Sequence, residues 1–260
     1  MKKLFALLSA LSVLAVAASA GALDLKGPTG EEWKNQGYGV PIYLDTDYEW
    51  LKPGEQPDPP HLPRDNNPVG CYKRTFEIPA DWKDREIFIH FGAVKSAFYV
   101  WINGRYAGYS EDAKTPAEWD ITRFLKDGKN EVALQVFRWS DGSYLECQDF
   151  WRISGIERDV YLFATPKVRI RDFWAKADVA ANDRDGFLDV SVEVTDKTGS
   201  AGGRHAVEVS LVDGDGETVF IESAPIDTAK GKETGIVHLA RNVSAPLLWT
   251  AETPNLFTVV

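Results

Sequence analysis

The sequence predicts an all-β protein made of two consecutive sandwiches, and three observations carry that expectation. Short segments alternate apolar and polar residues with the period of a strand. Turn-forming residues interrupt them at intervals of roughly 8–12 residues. No convincing amphipathic helix is written before residue 165.

In chain order, residues 27–67 are rich in Pro, Gly, Asp and aromatic side chains. Pro53, Pro57, Pro59, Pro60 and Pro63 exclude regular ladders there, so an extended arm draped over the first domain is expected. Tyr72, Phe76 and Ile78 open the alternating strands, and 86–91 and 97–102 follow. Asn103-Gly104 signals a two-residue hairpin, because both residues tolerate positive φ, and 105–109 is its return strand. Within 130–139, Val132, Leu134 and Val136 alternate with Glu131, Ala133 and Gln135, the pattern of a half-buried strand. Trp139 is expected to end that strand in the core, and 160–164 closes the set.

A second unit starts near Thr165-Pro166. Residues 168–179, 187–195, 206–213, 218–221 and 234–243 read as five strands, with turns at 199–203 and 213–216. The clearest sets Leu188, Val190, Val192 and Val194 against Asp189, Ser191 and Glu193. Together they resemble an immunoglobulin-like sandwich.

Composition narrows the function classes. With 29 Lys+Arg against 39 Asp+Glu and no basic cluster, the chain is a poor partner for nucleic acid or an anionic membrane. A hydrophobic content of 44% and an aromatic content of 12% exclude general disorder. Residues 1–20 hold Lys2 and Lys3, an apolar run from 4 to 17, and Ala18-Ser19-Ala20. That is the form of a secretory signal peptide, so cleavage after Ala20 and export to a bacterial periplasm are expected. The apolar run is shorter than the ~20 residues that span a bilayer. Cys71 and Cys147 are too few for a disulfide scaffold; a bond between them and two separate thiols both stay open.

The segment 138–160 reads Arg-Trp-Ser-Asp-Gly-Ser-Tyr-Leu-Glu-Cys-Gln-Asp-Phe-Trp-Arg-Ile-Ser-Gly-Ile-Glu-Arg-Asp-Val. It is too polar for a core strand, yet Trp139, Tyr144, Phe150 and Trp151 alternate with Asp141, Glu146 and Asp149. Aromatic faces beside carboxylates suit a sugar, whose C–H faces stack and whose hydroxyls donate. A long loop whose rings only pin it to a sandwich accounts for the same residues.

The run Arg-Trp-Ser-Asp-Gly-Ser-Tyr-Leu-Glu, then Gln-Asp-Phe-Trp-Arg, Ser-Gly-Ile and Arg-Asp-Val, resembles the sugar-binding domain of glycoside hydrolase family 2. Trp-Ser-Asp-Gly-Ser-Tyr-Leu-Glu leans towards the large bacterial β-galactosidases over β-glucuronidases and β-mannosidases. The resemblance implies a signal peptide over 1–20, a galactose-binding-type jelly roll with its arm over 21–165, and an immunoglobulin-like domain over 166–260. The segment from Pro246 to Phe257 is similar to the motif that ends that domain.

In the family a (β/α)₈ barrel then carries two glutamates for a retaining double displacement. Such a barrel takes about 250 residues. Neither glutamate is therefore expected in this chain, which alone should be inactive. The resemblance further implies that Asp149 binds sugar hydroxyls and a sodium ion, with the other ligands on the barrel, and that the full enzyme uses magnesium. It places Asp45, shortly after Pro41-Ile42-Tyr43, where the family has an asparagine. An aspartate accepts a hydroxyl hydrogen bond but cannot donate as an amide does. An Asx turn accounts for Asp45 equally well.

Other residues read as structure. Trp151, Arg152 and Arg158 are expected to fix the loop. Glu146 and Asp149, three residues apart, lack a warrant for the ~5 Å opposed pair of a retaining glycosidase. Ser140, Ser143 and Ser154 have no His/Asp relay, and His61, His90, His205 and His238 are scattered. Three readings follow: the front of an exported β-galactosidase, a stand-alone secreted carbohydrate-binding module, or a piece that complements a separate barrel. Homo-oligomerisation is open.

Overall fold

The computed structural model describes residues 48, 50–52, 54–64, 67–147, 153–198, 204–227 and 233–260. The chain divides into two compact units between Ala164 and Thr165. Among the described residues the only helical segments are 3₁₀ turns at Ala80–Trp82, Thr122–Phe124 and Asp141–Tyr144. The protein is all-β: a jelly-roll sandwich followed by an immunoglobulin-like one.

The first unit contains β1 (Val69–Glu77), β2 (Glu86–Phe91), β3 (Val94–Lys95), β4 (Ala97–Ile102), β5 (Arg105–Ser110), β6 (Ala117–Asp120), β7 (Lys129–Phe137), β8 (Gly155–Ile156) and β9 (Val160–Thr165). One sheet runs β1-β7-β4-β5, a second β6-β2-β9, and β3 pairs with β8. Period-two alternation aims Phe98, Val100, Ile102, Val132, Leu134 and Val136 inward from the first sheet. They meet Ile87, Ile89, Phe91 and Val160 of the second in one core.

The hairpin predicted at Asn103-Gly104 has φ of 51° and 75° at those residues. Asn103 does more than turn the chain. Its amide nitrogen donates to the carbonyl of Phe124 (2.9 Å) and to Asn130 Oδ1 (2.8 Å), and its Oδ1 accepts from the Glu131 amide (3.0 Å). Asn130, 1% exposed, also accepts from the Lys126 amide and donates to the carbonyls of Lys126 and Gly128. Two side-chain amides, that of Asn130 buried, thus satisfy the backbone of three segments.

Between β4 and β5 the register shifts: Trp101 faces Tyr106, whereas Val100 faces Gly108 and Tyr99 faces Tyr109. Ala107 is the extra residue of a β-bulge. Gly108 is thereby turned inward, where a Cβ would lie 1.9 Å from Trp119 Nε1.

Sequence and structure differ at several edges. β7 stops at Phe137, so Trp139 does not end the strand, although it is buried. Ile78 lies one residue past β1 but packs on the core. β3, β6 and β8 span two to four residues, too short for a legible period.

The second unit contains β10 (Val168–Val179), β11 (Gly186–Asp196), β12 (Arg204–Val212), β13 (Thr218–Asp227), β14 (Thr234–Val243) and β15 (Thr258–Val259). Sheets β10-β11-β14 and β13-β12-β15 enclose Leu188, Val190, Val192, Val194, Val207, Val209, Leu211 and Leu239. β13 runs six residues beyond its expected end, through Pro225. It lies at a sheet edge, where a missing N–H breaks no ladder. The β10–β11 turn is closed by Asp185, which accepts from Asn182, Arg184 and the Ala245 amide. The Arg184 guanidinium and those donors hold its carboxyl well below the usual carboxylate range. β10 is also an edge strand and leaves Ile170, Phe173 and Trp174 at least 60% exposed.

The inward glycine gives a direct test. Gly108→Ala should lower unfolding free energy by about 1–3 kcal/mol, the usual cost of overpacking. Urea denaturation followed by tryptophan fluorescence would measure it.

Candidate functional site

The segment leaving β7 is the one whose composition suggests sugar recognition, and its described part is fixed from three sides. Asn67 acts like an extra strand residue: its Oδ1 accepts from the Trp139 amide (3.1 Å), and its Nδ2 donates to the Trp139 carbonyl (2.9 Å). The Arg138 amide donates to the Pro68 carbonyl (3.0 Å). The turn Asp141–Tyr144 begins where the Ser140 amide donates to Ser143 Oγ (3.0 Å). Both serines therefore serve structure.

Rings then clamp the arm onto this loop. Trp50 is 8% exposed and lies 5.6 Å from Trp139, 5.2 Å from Tyr144 edge-on and 5.4 Å from Tyr48, between centroids. The Tyr144 hydroxyl donates to the His61 carbonyl (2.5 Å). Glu146 Oε1 accepts from the buried Ala113 amide (2.7 Å), which ties the loop after β5 to the same turn. Lys114 pairs with Glu157, and Arg158 Nη1 donates to the Lys114 carbonyl (3.2 Å). Arg158 thus fixes the loop, and Glu146 is occupied as a backbone acceptor.

Beside this scaffold lies a cleft of about 370 Å³ lined by Tyr99, Tyr109, Phe137, Trp139, Glu111 and Asp141, with Pro60 and Leu62 of the arm. The Tyr109 hydroxyl donates to Glu111 Oε1, and Asp141 lines the cleft beside it. Burial and the neighbouring carboxyls of Asp141 and Glu146 raise the pKa of Glu111, while the Tyr109 bond opposes them. Tyr109 is itself pushed up, by burial first and then by Glu111. The cleft presents apolar ring surface together with a hydroxyl and carboxyl oxygens that accept, a combination suited to a saccharide. The second unit has an apolar crevice of about 230 Å³ lined mainly by residues such as Val179, Leu188, Val243 and Leu248.

Asp149 and Asp45 lie outside the described residues, as do Phe150, Trp151, Arg152 and the segment 1–20. Cys71 and Cys147 are not joined by a disulfide. No group of three or more His, Cys, Asp or Glu side chains able to hold a metal occurs among the described residues. Nor is any helix there long and apolar enough to cross a membrane. Glu111 and Tyr109 were not foreseen as site residues. A simple hairpin from Asn103-Gly104 would pair Tyr99 with Gly108; only the bulge brings Tyr109 outward.

Comparisons with known proteins converge on one family. Residues 27–166 match the glycosyl hydrolases family 2 sugar binding domain, and 168–260 match a further glycosyl hydrolases family 2 domain. The chain is 45% identical over 229 residues to a β-galactosidase of Priestia megaterium, covering 88% of this chain and 22% of that protein. It is 40% identical over 237 residues to a β-galactosidase of Pectobacterium atrosepticum, covering 90% and 22%. Among solved structures, a Bacteroides uniformis β-glucuronidase superposes with a TM-score of 0.66 at 26% identity, over 74% of this chain and 24% of that one. A putative β-galactosidase from Bacteroides fragilis (TM-score 0.64, 22% identity, 74% of this chain and 30% of that one) shares the fold. The chain spans about 22% of the length of the relatives it matches.

The Glu111 proton sets a pH dependence. A carboxyl with a raised folded pKa contributes stability that is full at acid pH and lost as pH rises through that pKa. Glu111→Gln keeps an uncharged partner for Asp141, so its thermal midpoint should fall less than the native chain's between pH 4 and neutrality, by about one or more degrees. Differential scanning calorimetry across that range checks the difference.

Proposed function

The chain belongs to glycoside hydrolase family 2, and we propose that it forms the sugar-binding front of a retaining β-galactosidase acting on terminal β-D-galactosides. The observation that carries this reading is the 45% identity to a β-galactosidase across 88% of the chain. Hydrolysis is assigned to the longer polypeptide, of which this chain corresponds to about 22%, and not to these residues alone. Within it, Asp149 accepts hydrogen bonds from galactose hydroxyls and supplies one oxygen ligand to a sodium ion, the rest coming from the barrel. Asp45 offers a second hydroxyl acceptor. Magnesium belongs to the full enzyme and is assigned no residue of this chain. Residues 1–20 direct export, with cleavage after Ala20, to a periplasmic location.

The chemistry of these residues is positioning. A carboxylate at Asp149 fixes the ring's orientation by accepting from hydroxyls, and ring orientation controls how the anomeric carbon is presented to a nucleophile. The loop that bears Asp149 starts from a rigid base: the Asn67–Trp139 pairing and the Trp50 ring cluster hold its first half. A second reading, a secreted carbohydrate-binding module, is favoured by the cleft lined with rings and carboxyls.

Replacing Asp149 with Asn in the complete enzyme should raise KM and lower kcat. A loss of about tenfold or more in kcat/KM, equivalent to about 1.4 kcal/mol of transition-state binding, is expected. Steady-state kinetics on an aryl β-galactoside measures it, and native values for both constants would refute the role.

A further inference from the structure

We propose that the outer face of the β1-β7-β4-β5 sheet binds a β-galactoside oligosaccharide along a row of aromatic rings ending at Glu111 and Asp141. This deepens the sugar-binding reading above and rests on it. The row is made by β4 and β5. Tyr99 and Trp101 alternate outward from β4, opposite the inward Phe98, Val100 and Ile102. Tyr99 lies 5.9 Å from Trp101, 6.3 Å from Tyr106 and 4.7 Å from Tyr109, between ring centroids. Trp101 lies 6.3 Å from Tyr106.

In an unbroken strand Tyr106 and Tyr109, three residues apart, would point to opposite faces. The bulge at Ala107 sends Ala107 and Gly108 to the core side and both tyrosines outward. That interrupts the ladder and leaves large rings in water: Tyr106 is 56% exposed and Tyr109 40%. Neither ring adds to the core, so folding gains little from the arrangement. Bulges of this kind re-aim side chains near binding sites.

The occupant follows from the chemistry of the face. Tyrosine and tryptophan present apolar faces with polar tips, which match the C–H face and equatorial hydroxyls of a pyranose. Glu111 and Asp141 lie at the Tyr109 end, where their carboxyl oxygens can accept from sugar hydroxyls. Carboxyls there disfavour a phosphate backbone or an acidic lipid surface. All six residues fall within the span matching a sugar binding domain. Several rings in a row, extending past the cleft, favour an oligosaccharide over a single sugar.

Isothermal titration of the 260-residue chain with β-1,4-galactotetraose tests the proposal, with Tyr106→Ala, Tyr109→Ala, Phe173→Ala and Asp149→Asn compared in parallel. Each tyrosine variant should weaken binding about tenfold, and Phe173→Ala, which removes an exposed ring of the second unit, should change it by less than about twofold. Tyr106→Ala removes an exposed ring, so an unchanged thermal midpoint separates lost contact from lost folding. Loss of binding only in Asp149→Asn overturns the aromatic row and leaves the proposed function standing. No tetraose binding by the native chain overturns the row, while the Asp149 kinetics judge the broader reading separately. A native dimer that Tyr106→Ala dissociates, without sugar affinity, assigns the face to a second copy and overturns it as well.

Discussion

One extra residue in β5 decides what each face of the first sandwich presents. Without Ala107 the hairpin would run in plain register from Asn103-Gly104, placing Tyr109 opposite Phe98 and inside. The core has no room there: Phe98 already lies 5.0 Å from Phe91 and 5.6 Å from Trp119 between ring centroids. With the bulge, Gly108 takes the inner position and Trp119 fills the space its missing side chain leaves. Tyr109 moves outward, reaches Glu111, and draws the loop after β5 towards the Asp141–Tyr144 turn. The packed core and the polar cleft are consequences of the same slip in register.

That slip also explains what was legible in the sequence. Strands β2 and β4 begin and end where their alternation says, because one face is buried and a wrong phase would expose it; β10 and β14 also keep their expected ends, although β10 buries neither face. Asn103-Gly104 announced its turn for a similarly local reason. The overrun of β13 through Pro225 follows its hairpin partner β12, whereas the two-residue pair β3 and β8 carries no period and depends on neighbours far along the chain. The bulge is of that kind too. Nothing in Arg105-Tyr106-Ala107-Gly108-Tyr109 declares which residue is extra; the size of Trp119, ten or more residues on, decides it. Glu111 was invisible in the sequence for this reason.

The aromatic loop showed its composition but not its division of labour. Trp139 and Tyr144 pin the arm through Trp50. Glu146 satisfies a backbone amide, and Asp141 lines the cleft beside Glu111. A binding loop and a pinned loop were competing accounts of one composition. Over the described part of the segment the pinned account holds; Asp149 lies outside it, and its substrate role is the proposal made above.

The exposed edge of the second unit has a practical side. β10 carries Ile170, Phe173 and Trp174 in a long strand with one flank unpaired, the profile of a segment that recruits other chains into aggregates. Its safeguards are local. The ladder irregularity between Ile170 and Asp172 interrupts a flat edge, Arg171 pairs with Glu193, and the Lys176 ammonium sits 3.6 Å over the Trp174 ring. Anyone trimming this protein for expression should leave Arg171, Asp172 and Lys176 untouched, since they act as gatekeepers of colloidal behaviour more than of folding.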